Sequence, residues 1–421
     1  MSALEPSAQL PPRERTGNPR PRRRGGLDVI VVGAGAVGGA LALALARDGF
    51  DVALVEAREP APWRAGEDVD LRVVALAPDA RDLLAGLGVW DGIADARIGP
   101  YRHMRVWDAL APGELHFDAA ERGEAALGWI VENRLVQHAL WRALGGDLPD
   151  GAGRVRRHCP ASVVSLADTD DAVVATLDDG TQLEASVLVA AEGAGSPMRE
   201  RLGIGFAGRD YGQRAVVAHV AAERPHGQTA WQRFLPGGPL AFLPLADGRC
   251  SIVWSLPDGE ATRVLALDEE AFRAQLGCAF DFRLGPITAT TARAAFPLRR
   301  RLAGRYVAGR CVLAGDAAHV VHPLAGQGMN LGLRDVACLR RVLVDTRSRG
   351  SDLGATHVLR RYERERRSDN TVSAYAFDTI ERVFGAGSPP LAAVRGAALA
   401  AISRIAPLRH VLMDVAAGRV M

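Results

Sequence analysis

Leu27-Asp28-Val29-Ile30-Val31-Val32 runs directly into Gly33-Ala34-Gly35-Ala36-Val37-Gly38, and this stretch decides the fold. The first six residues read as a buried strand. Leu41, Leu43 and Leu45 then continue as an apolar helix, and Gly49 precedes a second strand, Val52-Ala53-Leu54-Val55, which ends at Glu56. Each glycine has a separate task in such a βαβ unit. Gly33 permits a tight turn, Gly35 lets backbone approach a pyrophosphate, and Gly38 lets helix and strand pack closely. The free N–H groups at the helix start, those of Ala36 and Val37 among them, would receive the phosphates. Glu56 would accept hydrogen bonds from a ribose diol. A glycine-rich turn in a doubly wound sheet without a nucleotide is the bland alternative, but strand, turn, helix, strand and acid all stand in register.

Composition sets the frame around that unit. A chain of 421 residues has length for two or three domains, and its 48% hydrophobic and 24% charged content is that of a globular protein. The five cysteines, Cys159, Cys250, Cys278, Cys311 and Cys338, are scattered and lack CxxC spacing, which favours reduced thiols in cytoplasm over a zinc or iron–sulfur site. A net charge of +2 does not suggest a nucleic-acid partner. Every basic residue is arginine, so Schiff-base chemistry and a phosphate-binding lysine are excluded. Residues 1–26, with Pro11, Pro12, Pro19, Pro21 and Arg22-Arg23-Arg24, read as a disordered basic leader. No uncharged apolar stretch is long enough to span a membrane.

The second half carries another decisive motif. Cys311-Val312-Leu313-Ala314 reads as a strand, followed by Gly315-Asp316-Ala317-Ala318-His319, then His322-Pro323 and Gly326-Gln327-Gly328-Met329-Asn330-Leu331, with a helix expected from about Gly332 to Val344. An acid at the end of a parallel strand before a glycine-rich turn suits ribityl or ribose hydroxyls. Between the two halves, Val187-Leu188-Val189-Ala190 runs into Ala191-Glu192-Gly193-Ala194-Gly195-Ser196. His319 and His322, three apart, lack the further ligands a metal needs, so no metal is expected. Arg299-Arg300-Arg301 reads as a solvated loop, with attraction of an anionic cofactor phosphate or lipid as the alternative.

Together these motifs resemble the single-component FAD monooxygenases of the p-hydroxybenzoate hydroxylase type, over nearly all of residues 27 to 420. The resemblance implies an α/β fold, with a discontinuous Rossmann-like FAD-binding domain, a β-sheet substrate domain and a C-terminal helical segment. It places Gly33, Gly35, Gly38 and Glu56 on the adenosine half of FAD. Arg72 matches an arginine reaching the pyrophosphate and ribityl region, and Asp316, after Gly315, matches the ribityl-binding aspartate. Gly328, Met329 and Asn330 match the loop at the pyrimidine edge of the flavin. Where the family has Asp-Gly, this chain has Glu192-Gly193, keeping the charge but moving it.

A narrower resemblance is to the FAD-dependent hydroxylases of ubiquinone biosynthesis, which act on polyprenylphenols. It rests on 127–134, on Gln232-Arg233-Phe234-Leu235-Pro236 with Gly238-Pro239-Leu240-Ala241, and on the unbroken 322–333 stretch. By that pattern Asn133 stands where other branches have a flavin-contacting arginine or glutamine. The implied chemistry is hydroxylation of a phenol ring through a flavin hydroperoxide, with O2 as co-substrate and NAD(P)H as reductant, a partner protein being the alternative direct electron donor. Such cofactor chemistry needs no nucleophile–base pair, and no protein residue stands out as acid or base. Phe234, Phe242 and Pro323 are the substrate-side candidates, with Trp231 and Trp254 also open to that role. Another aromatic substrate, or a non-catalytic FAD-binding component of a biosynthetic complex, remain the alternatives.

The expected organisation is an FAD domain from 27–99, 129–200 and 305–345, a substrate sheet from 100–128 and 203–304, and helices over 346–421. Leu391, Val394, Leu399, Ile402 and Ile405, continued by Leu408, Val411, Leu412 and Val415, recur at helical spacing. Arg395, Arg404, Arg409 and Arg419 punctuate them. That pattern suits either a helix lying on anionic lipid or one packed on the FAD domain. The expected location is cytoplasmic, peripheral on the inner face of the cytoplasmic membrane, with that surface or other quinone-biosynthesis proteins as partners.

Overall fold

The computed structural model describes residues 26–321 and 327–385, together with residues 396, 402 and 405–417. The leader, His322, Pro323 and the 391, 394 and 399 positions of the C-terminal stripe lie outside the described residues.

The Leu27–Val32 strand lies at the centre of an eight-stranded sheet because both its faces are apolar; Val29, Ile30 and Val31 are fully buried. It pairs in parallel with Gln182–Ala190 on one side and Val52–Val55 on the other. Cys311–Leu313 and Val155–His158 extend the parallel set outward. Continuous apolar strands of this kind need helices over them. Ala36–Arg47 supplies one cover, and its alanines and leucines are buried from Gly38 to Ala46. Gln327–Ser348 packs against it. The latter helix begins earlier and ends later than its apolar spacing predicts, so the Gly328-Met329 turn is already helical.

A second, nine-stranded sheet stands apart from the first. Its long strand Phe206–Ala222 pairs antiparallel with Cys250–Pro257 and Ala294–Ala303, and Gly238–Pro244, Thr229–Leu235, His103–Asp108 and Glu114–Asp118 follow in order. Residues from 100–128 and 203–304 thus meet in one sheet. The expectation of sheet over 203–304 misses two helices, Asp258–Ala266 and Glu269–Ala279. The second is opened by Asp268, whose carboxylate accepts the Ala271 N–H at 2.7 Å. Both helices cover the sheet face opposite the first domain, burying Phe272, Leu276 and Phe280. Arg299-Arg300-Arg301 is not a loop. It lies in the Ala294–Ala303 strand, held in register with Gly208, Arg209 and Asp210, and Arg299 pairs with Asp210 at 3.0 Å.

A small sheet of Val73–Leu76, Gly128–Glu132 and Gly99–Tyr101 bridges the two large ones. The Thr356–Gly385 helix falls within the region expected to be helical, and Tyr362, Arg366 and Asn370 are buried in it. The Ala406–Ala416 helix meets the edge of the nine-stranded sheet, with Arg122 on Asp414 at 2.7 Å and Arg409 on Glu121 at 3.0 Å.

Candidate functional site

A cavity of about 650 Å3 runs without interruption from the first glycine turn to the nine-stranded sheet. At the glycine end the backbone sets the shape. Gly33 has φ +102°, and a Cβ there would sit 2.6 Å from the Ala191 carbonyl oxygen. A Cβ on Gly38 would land on the Gly33 carbonyl oxygen. Gly35 caps the Ala36–Arg47 helix without a side chain, and the space where its Cβ would project is open. The first N–H groups of that helix therefore have no intrahelical acceptor and face a void suited to phosphate.

Glu56 lines the cavity at the end of the second strand, but its carboxylate is already engaged. Oε2 accepts the Ala34 N–H at 2.6 Å and Oε1 accepts the Arg58 N–H at 3.0 Å. It stiffens the glycine turn and keeps lone pairs free for a diol. Asn133 also lines the cavity, at the first position of the Asn133–Ala143 helix. One turn later Gln137 donates to the Ala34 carbonyl at 3.1 Å. Sequence reading passed over Gln137.

At the second turn Gly315 takes φ +62°, and Asp316 follows with its side chain open to the cavity. It has no hydrogen-bond partner among the described residues. Protein surrounds it on its other sides, so desolvation pushes its carboxyl above the usual range, against the pull of His319 and Arg72. Arg72 lines the same space and lies over the Phe296 ring at 5.6 Å. Gly328 and Met329 line it too, but the Asn330 side chain does not. Fully buried, Asn330 accepts the Ala77 N–H at 3.0 Å and donates to the Ala75 carbonyl at 2.8 Å. Asn330 thus ties the turn to the bridging sheet.

Beneath Asp316 is an ionic core that sequence reading did not find. Asp335 accepts from the Gly315 N–H at 2.9 Å, His319 Nε2 at 2.6 Å and Arg366 Nε at 2.7 Å. Asn370 joins Arg366 at 2.8 Å and the Tyr306 hydroxyl at 3.3 Å. Burial opposes charge on Asp335, but the His319 ring and Arg366 outweigh it and hold the carboxyl below its ordinary value. His319 is thus a structural partner. Among the described residues no three His, Cys, Asp or Glu side chains gather as metal ligands.

Glu192 also borders the cavity, and its extra methylene has a use. The carboxylate reaches back to accept the Ser196 hydroxyl at 2.6 Å and the Met198 N–H at 3.1 Å, fixing the next helical turn. Desolvation nevertheless pushes it upward.

The opposite wall is the nine-stranded sheet, and alternation decides who faces in. Ala215 and Val217, Ser251, Val253 and Ser255, and Pro239, Ala241 and Leu243 line the cavity. Phe242 falls on the other parity, fully buried and stacked on Phe280 at 3.7 Å. Phe234 packs with Val106 and Leu115. Neither phenylalanine borders the cavity, and Trp254 turns into the same core as Phe242. Trp231 does reach the cavity, with Gln232.

The donors and hollows at the first end fit an FAD: capless helix N–H groups, two glycine turns and an unpartnered aspartate along one cavity. The comparisons agree. The family described as FAD binding domain matches residues 26–372. The chain is 39% identical to 3-demethoxyubiquinol 3-hydroxylase of Escherichia coli, over 93% of this chain and 98% of that one. It is 39% identical to ubiquinone hydroxylase UbiL of Rhodospirillum rubrum (93% and 89% covered), and 34% to the human mitochondrial ubiquinone biosynthesis monooxygenase COQ6 (92% of each). In fold it resembles the p-nitrophenol 4-monooxygenase of Pseudomonas putida, with a TM-score of 0.72 at 22% identity over 94% of this chain and 98% of that one. The chain belongs to the FAD-dependent hydroxylases of ubiquinone biosynthesis, within the FAD-binding-domain family.

Proposed function

We propose that the protein adds one oxygen atom from O2 to the ring of a polyprenylated phenol on the route to ubiquinone, with NAD(P)H as reductant. The observation that carries this reading is the single cavity with a dinucleotide cradle at one end and a wall of small apolar side chains at the other. Bound FAD supplies the oxygen-activating chemistry.

The chain's own residues bind and exclude. In this reading Gly33, Gly35, Ala36, Val37 and Gly38 receive the pyrophosphate, Glu56 the ribose, and Asp316 after Gly315 the ribityl hydroxyls. Arg72, Asn133, Gly328 and Met329 border the rest. Ala215, Val217, Ala241 and Val253 leave room for a ring with an isoprenoid tail and shed water from it, which strengthens every polar contact inside. The test is a purified, flavin-loaded protein given NAD(P)H, O2 and a short-chain prenylphenol. A product heavier by one oxygen supports the reading, and flavin reoxidation without product overturns it.

A substrate with a long isoprenoid tail lives in the bilayer, and no described helix is long and apolar enough to cross a membrane. We assign the membrane contact to the Ala406–Ala416 region. There Ile405, Val411 and Leu412 are exposed while Met413 is buried against the protein. Flotation on anionic liposomes tests this. Val411→Asp with Leu412→Asp should leave the protein unfloated with its flavin spectrum intact, and unchanged flotation overturns the assignment.

A further inference from the structure

We propose that the side-chain amide of Gln232 receives the hydroxyl group of the substrate ring. This deepens, and rests on, the reading of the substrate as a phenol. Gln232 lies in the Thr229–Leu235 strand and lines the cavity, as does Ala230 two residues before it on the same face. Directly across the sheet its neighbours are Ala241 on one strand and Val106 on the other. Phe234, two residues further on that face, packs with Val106 and Leu115 outside the cavity. Gln232 therefore stands at the border of the cavity, and these four neighbours offer its amide no polar partner.

The residue is only 8% exposed, and its amide makes no hydrogen bond among the described residues. Buried amides are nearly always paired, because an unmatched donor or acceptor away from water is costly. An unpaired one that opens on a cavity points to a ligand that completes it. Two other polar side chains on the cavity are placed differently. Ser251 has its Oγ sealed inside the protein, which is not so for the oxygen and nitrogen of Gln232. The Tyr101 hydroxyl abuts the small bridging sheet, where a Cβ on Gly128 would lie 2.6 Å from it.

The chemistry of the amide is specific. It carries an acceptor oxygen and two N–H donors, and it holds no charge. A neutral group suits this stretch of wall, because a carboxylate among Val106, Ala230 and Ala241 would lose its hydration without a counter-charge. A phenol is a stronger hydrogen-bond donor than water, so its O–H donates to the Gln232 oxygen. The methyl ether of the same phenol has no proton to give, and a bare ring offers nothing. With its hydroxyl held at the sheet wall, the ring turns about one fixed point, so the contact orients the substrate as well as selecting it.

The test uses the FAD-loaded protein and two probes, a geranyl-substituted phenol and its methyl ether, with binding read from the flavin absorbance. The wild type should prefer the phenol by roughly tenfold, the worth of about 1.4 kcal/mol. Gln232→Met matches the glutamine in length and removes both polar atoms. It should bring the preference close to unity and leave affinity for the ether unchanged. Gln232→Asn keeps an amide but draws it back by one carbon, and it too should lose most of the preference. It decides alone if the methionine variant fails to load flavin. A tenfold preference that persists in either flavin-loaded variant overturns the assignment of Gln232, whereas the proposed function survives. If the wild type binds both probes equally, the assignment likewise falls alone. If it binds neither, the phenol reading and the assignment fall together.

Discussion

The two walls of the cavity are built on different principles. On the FAD side the decisive atoms belong to the backbone: Gly33, Gly35 and Gly38 act by lacking a side chain, and a Cβ on the first or last would strike a carbonyl. On the sheet side the decisive atoms are side chains, small where volume is needed and polar at only a few points. The difference teaches that the first wall tolerates almost no substitution, whereas the second can change its ligand by changing one or two residues.

The largest effect is expected at Gly33. Gly33→Val forces a β-branched residue into φ +102° and drives its Cβ against the Ala191 carbonyl. The purified variant should carry no flavin, and a full visible flavin spectrum would break the comparison. Next comes the ionic core beneath the second turn. Asp335→Asn leaves Arg366 buried without its carboxylate, a loss of about 3–5 kcal/mol by the usual cost of breaking a buried pair. Because the folded carboxyl lies below its ordinary value, its contribution is present above the unfolded pKa and disappears as pH falls through the folded one. Denaturant titrations should therefore show the two proteins converging in strongly acidic solution; a gap that stays constant across pH would refute the linkage.

A smaller loss is expected at Asp316, which contributes one charge-assisted contact. Asp316→Ala should weaken FAD binding by about 1.5–3 kcal/mol, measured by titration of the apoprotein. Unchanged affinity would remove that residue from the cofactor's side. The last change concerns the sheet. Val253→Phe puts a ring into the cavity from the sheet wall and should leave FAD affinity within about 0.5 kcal/mol while prenylphenol binding is lost. Loss of flavin there would mean that the two walls are not separable.

The same contrast explains what could be read before the structure. The unit from Leu27 to Glu56 was legible because glycine positions, strand and acid are all local and obey one spacing. The sheet wall was not. Both of its faces are covered, one by the cavity and one by the 258–279 helices, so apolar residues occur on both parities. Phe242 looked like a ligand wall, whereas Ala241 beside it is the residue that faces in. Asp335 and Arg366 were hidden for another reason. Thirty-one residues apart, each looks like an ordinary charge on a helix surface, and only packing of the two helices brings them to 2.7 Å. Asn330 was placed in the right turn, but its amide is used inward on Ala75 and Ala77.

That Asp335 core has a consequence for how the protein is made. The cradle begins near residue 27, yet the carboxylate under its second turn has only the Gly315 N–H and His319 as partners until Arg366 and Asn370 are in place. On a ribosome the glycine turn emerges first and its counterpart more than three hundred residues later. Arrested nascent chains released before residue 366 should therefore fail to retain FAD, and those released beyond residue 370 should retain it. On this expectation a chain truncated before residue 366 carries the signature motif and stays colourless.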